Sequence, residues 1–226
     1  MNEKIGIIVD STTIIPEEVK DKFIFGVVPL HVMVNGKNRP EPEIEDQEIV
    51  DRLENCKDLK SSSPSVGEFE KEYLRLFDLG VMDILVLPLS KENSTTYNVG
   101  KMAIDLLPED KKNHVSVLNT LINNYGISNV LIALSYWADK DISFVEFTQK
   151  AETYLHDSHL GFTILDLKHL FRGGRLSRLS CALGLLFKIK PIIEMIDGKL
   201  VLTKKERTAP NIINYFIKQI AVFSTK

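Results

Sequence analysis

Cysteine is scarce in this chain: Cys56 and Cys181 are the only two in 226 residues. They lie far apart and belong to no metal-spaced motif. That excludes a disulfide framework and a thiolate metal site as organising features, and two buried reduced thiols are expected instead. An excess of one charge is also lacking. The 28 basic and 31 acidic side chains leave a net charge of −3, which gives no global attraction to nucleic acid or to an anionic membrane. Any basic site must therefore be local. The first apolar run, residues 5–9, follows Met1-Asn2-Glu3-Lys4 and is too short for a signal sequence or a membrane span. A cytoplasmic protein with no stable membrane insertion is the expectation. No Gly-x-Gly-x-x-Gly or Walker-type loop follows a strand candidate, so nucleotide binding has no support. Internal repeats and low-complexity tracts are absent.

What is present is an ordinary globular composition, 44% hydrophobic and 26% charged, on a chain long enough for one large domain or two small ones. Residues 5–9, 84–89 and 115–118 read as buried parallel strands, and 25–34 as a strand closing on the Asn35-Gly36 turn. Helical spacing predicts a short helix opened by Pro16-Glu17-Glu18, then helices at 45–56, 66–79, 96–107, 127–137 and 144–155. The segment 127–137 is apolar on nearly every side and should be buried. Ile213, Phe216, Ile217 and Ile220 mark a last helix, and 162–165 a further strand. Asp197-Gly198, between apolar runs at 192–196 and 200–203, is a hairpin signal. The strand–loop–helix repetition predicts an α/β fold with a largely parallel sheet. The hairpin predicts a second part with mixed strands, and the boundary falls near Leu160.

Ligands of open parallel sheets bind beyond the carboxyl ends of the strands, and those positions here carry hydroxyls and amides. Ser11, Thr12 and Thr13 follow the first strand; Ser61, Ser62, Ser63 and Ser65 precede the helix at 66; Ser90, Ser94, Thr95 and Thr96 follow the strand at 84; Asn119 and Thr120 follow the strand at 115. Neutral donors near helix N-termini suit an anion. They suit hydrolysis poorly, because a nucleophilic serine needs an adjacent base. The five histidines (His31, His114, His156, His159, His169) sit in no motif. Helix capping accounts for part of the hydroxyl pattern: Ser65-Val66-Gly67-Glu68 fits a capping box, and Ser94 could cap the helix containing Tyr97. Capping does not account for three further serines in a row at 61–63. Asp10-Ser11-Thr12 lacks the second acid that an aspartyl nucleophile would want two residues on.

Residues 165–200 combine Gly173-Gly174-Arg175, an apolar run at 182–187 and Lys190-Pro191. Such a block could form a wall that is greasy on one side and positive at its rim, suited to a long-chain amphiphile with an anionic head. The plainer reading is a turn plus core, with Arg172, Arg175 and Arg178 on a solvated basic face.

Taken in order, these pieces resemble the DegV family of bacterial lipid-binding proteins. Ile8-Val9-Asp10-Ser11-Thr12 resembles its opening strand and loop, and Val28-Pro29-Leu30 its second. Ser61-Ser62-Ser63-Pro64-Ser65 is similar to its Thr-Ser-Gln-Pro-Ser loop, and 90–97 to its Ser-Ser-x-Leu-Ser-Gly-Thr-Tyr segment. Gly173-Gly174-Arg175, Lys190-Pro191, Asp197-Gly198 and Arg207 fall where the family has its Gly-Gly-Arg, Lys-Pro, Asp-Gly and arginine.

The resemblance implies a two-lobed fold, with a parallel-sheet N-terminal lobe at 1–160 and part of a second lobe with mixed strands at 161–226. One long-chain fatty acid, such as palmitate or oleate, would lie between them without a cofactor or metal. Ser61 and Ser94 would hold the carboxylate, with Ser62 and Thr95 as neighbours and Arg175 near the head group. Arg207, Lys204 and Lys205 would face a partner, since some family members present the carboxylate to an ATP-dependent fatty acid kinase subunit. No catalytic residue is implied.

The sequence departs from the pattern at Ser63 (glutamine), Asn93 (leucine), Thr95 (glycine) and Asn119-Thr120 (Asp-Ser). A backbone at 95 requiring positive φ would strain threonine. Family members usually continue past the arginine into a Gly/Pro-rich segment with a histidine near the head group, so the second lobe of this sequence is expected to be incomplete.

Energetics divide the roles. Burying about fifteen methylenes at roughly 0.8 kcal/mol each yields on the order of 12 kcal/mol gross, before association costs. Charge-assisted hydrogen bonds at about 1.5–3 kcal/mol each would select an acid over an alkane. Leu183, Leu186, Phe187, Ile192 and Ile193 are candidate tail contacts. Two other readings stay open: an acyl or phosphoryl transferase using the same cleft, and a degenerate interaction module.

Overall fold

The structure is a computed structural model, and it describes residues 5–34, 37–44, 47, 60–164 and 189–223. Strand β1 (Gly6–Asp10) is five residues of which the central three are β-branched, and every one is buried. It forms the middle of a parallel sheet with β2 (Ile24–Val28), β6 (Ile84–Leu87) and β7 (Val115–Val117), in the order β2-β1-β6-β7. Successive side chains on a strand point to opposite faces, and both faces are covered, as parallel sheets require. Ile7, Val9, Leu85 and Leu87 belong to one apolar cluster, while Ile8, Ile84 and Val86 belong to another.

The second cluster is closed by α1 (Val66–Asp78) and α2 (Thr96–Ile104) through Phe69, Tyr73, Leu76 and Ala103. Ser65 starts α1 with the predicted capping box: its Oγ accepts from Glu68 N, and the Glu68 side chain accepts from Ser65 N at 2.7 Å. The two helices approach closely at Gly100, where an added Cβ would sit 3.3 Å from the Phe69 ring, and Tyr73 Oη donates to Gly100 O at 2.9 Å. A short α3 (Glu109–Lys112) leads into β7. The first cluster is closed by α4 (Tyr125–Ser135) and α5 (Phe144–Asp157), which supply Ile127, Leu131, Leu134, Phe147 and Ala151. Helix α4 is less enclosed than its sequence suggested, since Tyr125 is 61% and Ile132 40% exposed.

Two antiparallel sheets flank this frame. The run at 25–34 is not one strand. It breaks at Pro29, whose ring removes the N–H a continuous ladder needs. Residue 31 onward forms β3 (His31–Val34), paired with β4 (Lys37–Pro40) and β5 (Lys60–Ser62). Ser61 and Ser62, expected in a loop, are strand residues here. The helix expected to reach 107 ends at Ile104. The helix expected at 45–56 and the Asn35-Gly36 turn lie outside the described residues.

The other antiparallel sheet is β8 (Gly161–Thr163), β9 (Lys190–Ile196) and β10 (Lys199–Glu206), ordered β10-β9-β8 and followed by α6 (Ala209–Phe223). The predicted hairpin turn is present, with Asp197 at φ 51° and Gly198 at φ 77°, the primed-turn geometry that favours glycine. Met195 from β9 enters the first apolar cluster, with Leu160 and Leu200 packed against it. The second sheet is therefore joined to the parallel frame through shared core. Ile192 and Ile193 are fully buried. Leu183, Leu186, Phe187, both cysteines, His169 and the 171–175 motif lie outside the described residues.

Candidate functional site

Asp10 stands at the carboxyl end of β1 and is fully buried. Its carboxylate accepts from Leu89 N at 2.6 Å, Thr12 N at 3.0 Å and Thr12 Oγ1 at 2.5 Å. Burial pushes this carboxyl above its ordinary range, opposed by the bonds from Thr12 and Leu89. Asp10 thus ties the loop after β1 to the loop after β6.

That second loop turns tightly: Asn93 N and Ser94 N both donate to Ser90 O, at 3.0 and 3.2 Å. The turn brings Ser94 to a hydroxyl cluster assembled from distant sequence. Ser63 Oγ lies 3.1 Å from Ser94 Oγ and 2.7 Å from Thr95 Oγ1, and Ser94 Oγ lies 2.9 Å from Thr96 Oγ1. Thr96 N also donates to Ser94 Oγ at 3.3 Å. Four O–H donors share three mutual bonds, so one donor remains for an outside acceptor. No acid or base takes part in these bonds. Among the described residues the cluster offers neutral donors to an anion and bonds to no base that would activate a serine.

The expected head-group residues divide accordingly. Ser94 and Thr95 meet in the cluster. Ser61 and Ser62 are exposed on β5, opposite Val32 and His31, and it is the next residue, Ser63, that reaches Ser94. The sequence signal for Ser63 was the serine run that capping could not explain. Thr95 has φ −80° and ψ −2°, so threonine is unstrained and no glycine is required. Its own side chain makes no cap bond. Arg175 lies outside the described residues. On the expected partner surface, Arg207 and Lys205 are exposed, while Lys204 pairs with Glu206 at 2.8 Å and sits 5.3 Å from the Tyr215 ring centroid.

A second group of polar residues resembles a catalytic set only at first sight. Ser65 Oγ donates to Glu68 Oε2 at 2.7 Å, and His31 Nε2 lies 3.1 Å from Glu68 Oε1. The carboxylate stands between serine and imidazole, whereas nucleophile activation needs the imidazole in the middle. Among the described residues, no group of three His, Cys, Asp or Glu side chains could hold a metal, and no helix is long and apolar enough to cross a membrane.

A cavity of about 580 Å³ opens beside the second sheet, lined by Leu155, Leu160, Met195, Ile196, Phe216 and Phe223 among others. None of the clustered hydroxyls lines it. It touches the site indirectly, through Met195, whose Sδ is 3.9 Å from the amides of both Asn93 and Asn123.

Comparison with known proteins fixes the lineage. The family model described as "Uncharacterised protein, DegV family" matches residues 4–226. The chain belongs to the DegV family. A DegV domain-containing protein of Staphylococcus aureus (strain COL) is 30% identical over 218 residues, covering 96% of this chain and 76% of that one. A Thermotoga maritima protein described as revealing a fatty acid binding function superposes with a TM-score of 0.81 at 26% identity, over 96% of this chain and 76% of that one. The Streptococcus pneumoniae fatty acid kinase (Fak) B3 protein loaded with linoleic acid shares the fold, with a TM-score of 0.83 at 22% identity over 96% of this chain and 78% of that one. The DegV fold and its α/β architecture are thereby established for this chain.

Proposed function

We propose that this DegV protein binds one long-chain fatty acid non-enzymatically. The carboxylate would lie on the Ser63–Ser94–Thr95 cluster, and the acyl chain between a parallel-sheet lobe (1–160) and a second lobe (161–226). The observation that carries the reading is the convergence of hydroxyls from two separate loops, with one O–H left over from their mutual bonds and no acid or base among them. A carboxylate would accept that O–H in a charge-assisted hydrogen bond. The tail supplies affinity through apolar burial. Fatty acid binding by the Thermotoga maritima relative supports the ligand class. The Streptococcus pneumoniae fatty acid kinase B3 protein, loaded with linoleic acid, supports the further reading that this chain is a carrier presenting the ligand's carboxylate to a kinase subunit. Arg175 stays in the proposal as a head-group residue, and Arg207 with Lys205 as exposed partner contacts.

Native mass spectrometry of the purified protein tests the core claim: one acyl chain per molecule is expected, from co-purification or from added palmitate or oleate. Protein that stays empty under both conditions overturns it. Ser94→Ala should weaken oleate binding roughly tenfold to a hundredfold, from the loss of about 1.5–3 kcal/mol of charge-assisted bonding. Oleyl alcohol binding should change far less, and an equal loss for acid and alcohol would remove Ser94 from the head-group site.

A further inference from the structure

The turn that presents Ser94 also grips the second sheet. Ser90 is fully buried, and its Oγ donates to Gly198 O at 2.8 Å. Asn93 Nδ2 donates to the same carbonyl at 3.1 Å. Gly198 belongs to the β9–β10 hairpin turn, so one carbonyl of that turn is held at two points by the five-residue segment ending in Ser94. The fit is close. A Cβ on Gly198 would meet Ser90 Oγ at 2.7 Å and Leu121 Cδ2 at 3.1 Å.

The loop after β7 backs this joint. Ser90 N donates to Ile122 O at 3.1 Å and to Asn123 Oδ1 at 3.0 Å, and Lys91 N to Asn119 Oδ1 at 3.2 Å. Thr120 Oγ1 donates to Pro88 O at 2.7 Å and to Ile122 O at 2.9 Å. The same loop carries Leu121 at φ 59° and Asn124 at φ 43°, conformations that β-carbon-bearing residues adopt rarely. The turn at 90–94 is thus braced from behind and attached in front to the hairpin. The second grip on Gly198 depends on the Asn93 amide, a donor that a leucine of similar size would not supply.

We propose that Asn93 is a positioning residue: with Ser90 it latches the Asp197–Gly198 hairpin to the turn bearing Ser94, so that hairpin and head-group hydroxyls open and close as one unit. This rests on the fatty-acid reading only for its consequence, that carboxylate bound at Ser94 also holds the hairpin shut.

Backbone amide hydrogen exchange on the full chain, with and without oleate, tests both parts. Without ligand, Asn93→Leu should raise exchange roughly three- to tenfold, the worth of one ordinary hydrogen bond, at residues 94–96 and at 196–199 together. Exchange in β1 and β6 should stay unchanged. A rise on one side alone, or none, overturns the latch. Asn93→Ala removes the donor without adding bulk beside Met195, and it takes the place of the leucine variant if that variant loses its fold. With oleate, the wild-type hairpin amides should slow along with residue 94, and that remote protection should vanish in the variant while oleate still binds. Oleate that protects residue 94 but leaves the wild-type hairpin unaffected overturns the coupling. Should the wild type take up no oleate at all, the fatty-acid reading falls, and the ligand-free comparison still decides the latch.

Discussion

The parallel-sheet region and the β8–β10 region with α6 use their apolar residues differently. In the first, the central strands β1 and β6 are covered on both faces, and Ile7, Ile8, Val9, Ile84, Leu85, Val86 and Leu87 are all fully buried. In the second, the central strand is also covered on both faces, with Ile192 and Ile193 fully buried, but α6 turns Ile213, Ile217 and Ile220 outward, at 57%, 58% and 66% exposure. The difference teaches that the first region holds most of the fully buried core among the described residues, and that the second is joined to it through Met195, Leu160 and Leu200 in the shared core and through Gly198 in its two hydrogen bonds. The largest effect should come from the first region. Phe147, fully buried on α5 with its ring 5.9 Å from that of Phe23, should cost about 3–5 kcal/mol when replaced by alanine, measured by urea unfolding. A loss below about 1 kcal/mol would mean that the parallel core is not the stable part.

Asp10→Asn comes next, at about 1–3 kcal/mol near neutral pH. The two carboxylate oxygens accept from donors on two different loops, and an amide must turn an N–H toward one of them. The variant should also change the pH profile. A carboxyl raised in the folded state binds its proton more tightly there than in the unfolded chain. Its contribution to stability is therefore present in acid and fades as pH rises from the ordinary carboxylate value through the folded one. The asparagine variant should lack that component. Unfolding curves at several pH values would show it, and profiles of identical shape for the two proteins would contradict the raised carboxyl.

Much of the fold was legible because its signals are local and periodic. The β-branched run at β1, the capping box at Ser65 and the Asp197-Gly198 turn each follow from a few adjacent residues. The break at Pro29 was missed because residues 25–34 are apolar apart from His31, and the chain changes sheets inside that run. Of the site, Ser94 and Thr95 were legible from their place after β6. Ser63 was not singled out, because which serine of a run faces the cluster depends on where β5 ends, a matter of pairing with β3. The grip of Asn93 on Gly198 joins residues 105 apart in sequence, and no pattern in one chain encodes such a pair.

The smallest effect should be Ile217→Ser. Residues 213, 217 and 220 follow i, i+4, i+7 spacing and form one exposed stripe. The helix is anchored elsewhere: Ile212 is 6% exposed, Tyr215 Oη donates to Glu194 Oε1 at 2.9 Å, and Phe223 stacks on His159 with ring centroids 3.8 Å apart. Phe216 packs so closely on β8 that a Cβ at Gly161 would fall 2.8 Å from its ring. Removing an isoleucine that is already mostly in water forfeits little transfer energy, so the change should stay within about 0.5 kcal/mol, as for other surface substitutions. Urea unfolding again gives the number. A loss above about 1 kcal/mol would mean that the stripe is covered in solution, and the contrast between an enclosed first region and a second region with an exposed helix face would then fail at α6.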